Sequence, residues 1–147
     1  MAEFVKLNPN GLEALRNVDP MLVSYNIEMT EVTGGTFWKA YTEAQVDGTE
    51  EFPVIKEWQN MGNLQQWYEP IDTANPRLIK LAKDLGAAWV RVSGTWANKT
   101  YYDFDGTTGG KVPEGFQSVL TKEQWLKLLD FVKAIGGKLR SPVYCPS

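Results

Sequence analysis

The side chains able to do chemistry in this sequence are carboxylates, hydroxyls, amides and indoles, because it contains no histidine and a single cysteine, Cys145. Without histidine, catalytic schemes that use imidazole as the base are excluded. With one cysteine there is neither a disulfide framework nor a Cys/His zinc site, and Cys145 has no partner to activate it. The remaining groups gather in two places. Glu28-Met29-Thr30-Glu31 follows the apolar run at 21–27, and Ser93-Gly94-Thr95-Trp96-Ala97-Asn98 follows the β-branched and small residues at 87–92. In each, polar groups begin where a buried strand would end. Ligands of parallel α/β folds sit at that carboxyl edge, which makes Glu28, Gly94, Thr95, Trp96 and Asn98 the candidate binding residues. Carboxylates and amides that bond hydroxyls, beside an indole that stacks, are the materials of a carbohydrate site.

Other groups carry less. Arg91 falls inside a strand expected to be buried, where an unpaired guanidinium is costly, so it reads as a member of a structural ion pair or network. Asp103 and Asp105 sit among Gly and Thr with no apolar pocket to raise either pKa, and read as a solvated loop. Tyr101 and Tyr102 read as local core, whereas Trp96 is assigned to stacking on a sugar face. The sequon at Asn98-Lys99-Thr100 is short enough to arise by chance and carries no argument. Neither Thr33-Gly34-Gly35-Thr36 nor Gly109-Gly110-Lys111 has the strand-to-helix placement of a phosphate cradle.

The elements that must position these residues follow from periodicity and punctuation. Strands are expected at 21–27, 87–93 and 138–144. One helix is expected at 76–85, opened by Asn75 and Pro76, with Leu78, Leu81, Ala82 and Leu85 on one face and Gly86 at its end. A second is expected at 122–135, opened by the capping-box pattern Thr121-Lys122-Glu123-Gln124. Residues 32–72 form a long connection rich in aromatics, among them Phe37, Trp38, Trp58, Trp67 and Tyr68. Right-handed crossovers then make the three strands parallel neighbours in chain order, with both helices on one face. Residues 1–147 read as a single α/β unit, a parallel βαβαβ segment.

The stretches MLVSYNIEMTEV, PRLIKLAKDLG and AAWVRVSGTWANKTYYDF together resemble the amino-terminal part of the heparanase and β-glucuronidase family of glycoside hydrolases. The most specific string is Val90-Arg91-Val92-Ser93-Gly94-Thr95, followed by Asp103-Phe104. The resemblance covers roughly residues 20–145 in order and is absent through most of 32–72. It implies the first third of a (β/α)8 TIM barrel and a parent reaction of retaining hydrolysis of β-linked uronic-acid glycans. It further implies that an acidic residue ending strand one contacts sugar hydroxyls, a place held by Glu28 with Glu31 as the alternative, and that Gly94 and Thr95 border the same subsite. The family's catalytic glutamates follow its fourth and seventh strands, the first in an Asn-Glu-Pro setting. That tripeptide does not occur here, so no catalytic residue is assigned, and a pair of carboxyl groups about 5 Å apart is not expected within this chain.

The formal charge of −3 and a pI near 5.0 give no general basic field, which argues against nucleic acid and anionic membranes as partners. The expected partner is a glycan containing uronic acid, with no cofactor and no metal. Three parallel strands leave two unpaired edges and an uncovered face, pointing to the remaining barrel segment or a second copy as protein partner. A truncated or split reading frame and a fragment completed by another chain both fit the length. The rival is a non-catalytic carbohydrate-binding or scaffold protein derived from the same barrel. Members of the family are often secreted; nothing in residues 1–20 has the pattern of a leader, and compartment stays open.

Overall fold

The computed structural model describes residues 5–6, 8–52 and 62–140. Its centre is a three-stranded parallel sheet of β1 (Ser24–Glu28), β4 (Trp89–Ser93) and β7 (Lys138–Arg140), in that spatial order. β1 starts later than the apolar run suggests, because Asp19 accepts a bond from the Met21 amide at 2.7 Å and Pro20–Leu22 coil into a 3-10 turn. The third strand is described through Arg140, and its expected continuation at 141–144, like Cys145 and Trp58, lies outside the described residues. The chain is thus mixed α/β with parallel strands in chain order.

Two helices cover one face. In α3 (Pro76–Leu85), Asn75 Oδ1 accepts from the amides of Arg77 at 2.9 Å and Leu78 at 3.4 Å, Pro76 opens the first turn and Gly86 ends it. In α4 (Lys122–Ala134), the Thr121 hydroxyl accepts from the Gln124 amide at 3.3 Å while Gln124 Oε1 accepts from the Thr121 amide at 3.0 Å. Ala82, Phe131, Val132 and Ile135 close over Val90, with Tyr25, Ile27, Leu78, Ile79 and Leu139 at the margin. A second cluster toward the carboxyl edge joins Met29, Val32, Val92, Ala97, Leu120 and Leu128. Burying the larger of these side chains supplies about 1.5–3 kcal/mol each.

The opposite face is polar. Register places Ser24, Trp89 and Lys138 in one row and Asn26, Arg91 and Arg140 in the next. Arg91 is exposed there, and among the described residues it has no carboxylate partner; the ion pairs are Lys80–Asp84 and Lys127–Glu123, both helical. This corrects the expectation of a buried, paired arginine: only Val90 and Val92 point into the core, and the pleat turns Trp89 and Arg91 to the other face. Trp89 is flanked by Lys138 and Arg140, at 5.2 and 5.6 Å from its ring centroid.

Both long connections carry structure. Within 32–72, β2 (Gly35–Trp38) and β3 (Gln65–Tyr68) pair antiparallel, and Glu43–Val46 form the short helix α2. Between β4 and α4, β5 (Thr100–Asp103) pairs parallel with β6 (Ser118–Thr121). The buried hydroxyls of Thr100 and Ser118 meet at 2.8 Å between them.

Candidate functional site

The carboxyl ends of β1 and β4 lie side by side, with Glu28 opposite Ser93. One residue earlier on the same face, Asn26 Oδ1 accepts from the Ser93 hydroxyl at 2.8 Å, tying the two strand ends together. After β1 the chain turns at once into α1 (Met29–Thr33), and Glu31 Oε2 accepts from the Glu28 amide at 2.7 Å. Glu28 and Glu31 together form the capping box that opens α1, the Glu28 side chain facing the Glu31 amide in return, and Glu28 Oε2 is the oxygen left over at the edge.

Glu28 lies directly on Gly94. A Cβ at Gly94 would overlap the Glu28 carboxylate, and Gly94 has φ 103°, so both space and backbone conformation demand glycine. Oε2 of Glu28 is closed off from solvent with no hydrogen-bond partner, although the residue as a whole is half-buried. An unsatisfied buried acceptor costs about 1–3 kcal/mol, more for a charged one.

Beyond Gly94 the chain makes a 3-10 turn, Thr95–Lys99. Trp96 is half-buried and meets Phe37 of β2 edge-on, with ring centroids 5.3 Å apart. Thr95 and Asn98 are exposed on the same turn. Trp96 also lines a cleft of about 350 Å³ whose other walls include Thr30, Thr36, Gln65, Trp67, Gln117 and Ser118. Thr95 and Asn98 are not among its walls. Glu28, Gly94 and Trp96 are thus placed along one edge, while Thr95 and Asn98 face solvent without contributing to the cleft. The additional wall residues were out of reach of sequence reasoning, because nothing local announces that Gln65–Tyr68 pairs with Gly35–Trp38 across so long a connection.

A larger cleft, about 460 Å³, lies elsewhere, between Glu69–Thr73 and the start of α4, and includes none of the residues assigned from sequence.

The acidic loop differs from expectation. Asp103 is 2% exposed and its carboxylate accepts from the Thr107 amide at 2.8 Å, the Thr107 hydroxyl at 3.2 Å, the Thr108 amide at 3.1 Å and the Thr108 hydroxyl at 2.6 Å. These bonds, the Thr108 hydroxyl first, hold its pKa below the usual aspartate value despite burial. Only Asp105 is the solvated member. A carboxylate saturated by donors and kept ionised is a loop clasp rather than a proton donor. The tyrosines behave as local packing: Tyr101 meets Phe116 edge-on at 5.2 Å and Tyr102 leans on Phe104 at 6.3 Å.

Among the described residues no cluster of three or more His, Cys, Asp or Glu could hold a metal ion, and no helix is long and apolar enough to cross a membrane. Neither protein-family models, nor curated proteins, nor solved structures give a match to this chain.

Proposed function

We propose that this chain is a carbohydrate-binding segment of a glycoside hydrolase barrel acting on uronic-acid glycans, contributing substrate contacts while catalytic carboxylates come from further strands. The observation that carries the reading is the Glu28 carboxylate lying on Gly94 at the adjoining carboxyl ends of two parallel strands. A carboxylate in that place accepts hydrogen bonds from vicinal sugar hydroxyls, and glycine lets it approach the neighbouring strand. Trp96 adds an indole at the same edge. The saturated state of Asp103 supports the division of labour, because it removes one member of the Asp103 and Asp105 pair from acid or base duty.

The second reading, a binding or scaffold protein without hydrolysis, draws on the same geometry and differs only in what the complete assembly does. Assays of the purified chain with an aryl β-glucuronide and with a uronic-acid oligosaccharide test both. We expect oligosaccharide binding that falls about tenfold in Glu28→Gln, and no turnover. Turnover that vanishes in Glu28→Gln would place a catalytic carboxylate in this segment and overturn the proposal. Binding without turnover even when the remaining barrel strands are supplied favours the second reading.

A further inference from the structure

We infer that the cleft between the β2–β3 hairpin and the approach to β6 is a subsite for a neutral sugar ring, separate from the place taken by a uronate. The inference rests on the carbohydrate reading above and names the chemistry of one part of the site. At about 350 Å³ the cleft falls at the small end of ligand pockets, roughly 300–1,000 Å³, which suits a ring rather than an extended chain.

Its walls are matched to a polyol. Gln65 and Gln117 each offer an amide that donates and accepts, and Thr36 adds a hydroxyl. The Ser118 hydroxyl is oriented by Thr100, and the Thr30 hydroxyl, on a residue 3% exposed, is buried without a partner. Sugar hydroxyls also both donate and accept, so the groups that open to the cleft find a complement, while the Thr30 hydroxyl stays packed against Gly35. Trp67, 59% exposed on β3, and half-buried Trp96 supply the indole surfaces on which the C–H face of a pyranose stacks.

What the walls lack sets the selectivity. None of the lining residues is Asp, Glu, Lys or Arg. A uronate carboxylate entering this cleft loses water and finds no cation, which is costly. Arg91, Lys138 and Arg140 stand on the polar sheet face, and neither they nor Lys39 and Lys99, whose backbones adjoin the walls, line the cleft. A neutral ring meets no such penalty.

The test compares two probes identical except at C6, methyl β-glucopyranoside and methyl β-glucuronide, by saturation-transfer NMR and tryptophan fluorescence on the purified chain. Trp67→Ala and Gln117→Ala are the variants, both at exposed positions, with circular dichroism to check that they fold. We expect the neutral glycoside to bind and to lose at least fivefold in affinity in each variant, while binding of the glucuronide is insensitive to Trp67→Ala. Neutral binding indifferent to both variants overturns the placement. Glucuronide binding that depends on Trp67 as strongly as glucoside binding overturns the neutral selectivity and leaves the carbohydrate reading intact. Binding of neither probe to the wild-type chain overturns both.

Discussion

Gly94 joins two constraints at one α-carbon, a φ of 103° and the overlying Glu28 carboxylate. Gly94→Ala should therefore destabilise the chain by about 1–3 kcal/mol through backbone strain, with steric overlap added. Removing the carboxylate in Gly94→Ala/Glu28→Ala relieves the overlap and leaves the strain. The double variant should then cost less than the two singles together, and urea midpoints that add within about 0.5 kcal/mol would refute the contact. Asp103 carries a different prediction. Its folded pKa is lowered, so its contribution is complete above the unfolded value near 3.9 and is lost as pH falls through the folded one. Urea titrations across acid pH should show that loss in the wild type, and Asp103→Asn should flatten it. The sequence made Glu28 and Gly94 legible because both stand where an apolar run breaks. Asp103 was misjudged, because its burial depends on the following loop folding back through Thr107 and Thr108, and neither Gly nor Thr signals that in advance.

The helix boundaries were legible nearly to the residue, since they are set by groups adjacent in the chain: Asn75, Pro76 and Gly86 for α3, Thr121 and Gln124 for α4; the expected apolar face of α3 was not, for Ala82 is buried while Leu81 and Leu85 are exposed. Thr121→Ala should lower stability by about 1 kcal/mol and Thr121→Ser should restore most of it, read as thermal midpoints. Leu128 is fully buried where α4 meets α1 and β6, and Leu128→Ala should cost about 2–5 kcal/mol; a loss under 1 kcal/mol would contradict its place in the core. The short strands of the two connections were not legible. Each has four residues, and each depends on a partner far along the chain, such as Tyr68 opposite Gly35. Local pattern cannot encode such a partner. The same limit hid the cleft walls at Gln65, Trp67 and Gln117.

The whole molecule has one dry sheet face and one wet one. Parallel sheets ordinarily have both faces covered. Here the wet face carries Arg91, Lys138 and Arg140 around Trp89, so two copies meeting face to face bring like charges together. Any self-association through this face should be weak at low ionic strength and rise with salt as the Debye length shrinks. Sedimentation velocity at two salt concentrations reads the trend, and association that weakens as salt is added would point to another surface. A natural cover for the face would bring carboxylates. Composition suggested a chain without a general basic field and left a local one open; its position could not be read in advance because alternate residues of separate strands assemble it.

The seat of Glu28 on Gly94 also has a meaning for folding fidelity. Slipping β1 by two residues against β4 keeps Tyr25 and Ile27 on the dry face, so the core alone distinguishes the two alignments only weakly. The slipped chain sets Asn26 or Thr30 in the place of Glu28, so that no carboxylate lies on Gly94. Correct pairing is thus checked at the carboxyl edge of the sheet. A mispaired molecule can stay compact while its edge is blank, which makes the Glu28–Gly94 contact a more sensitive measure of proper folding than helix content.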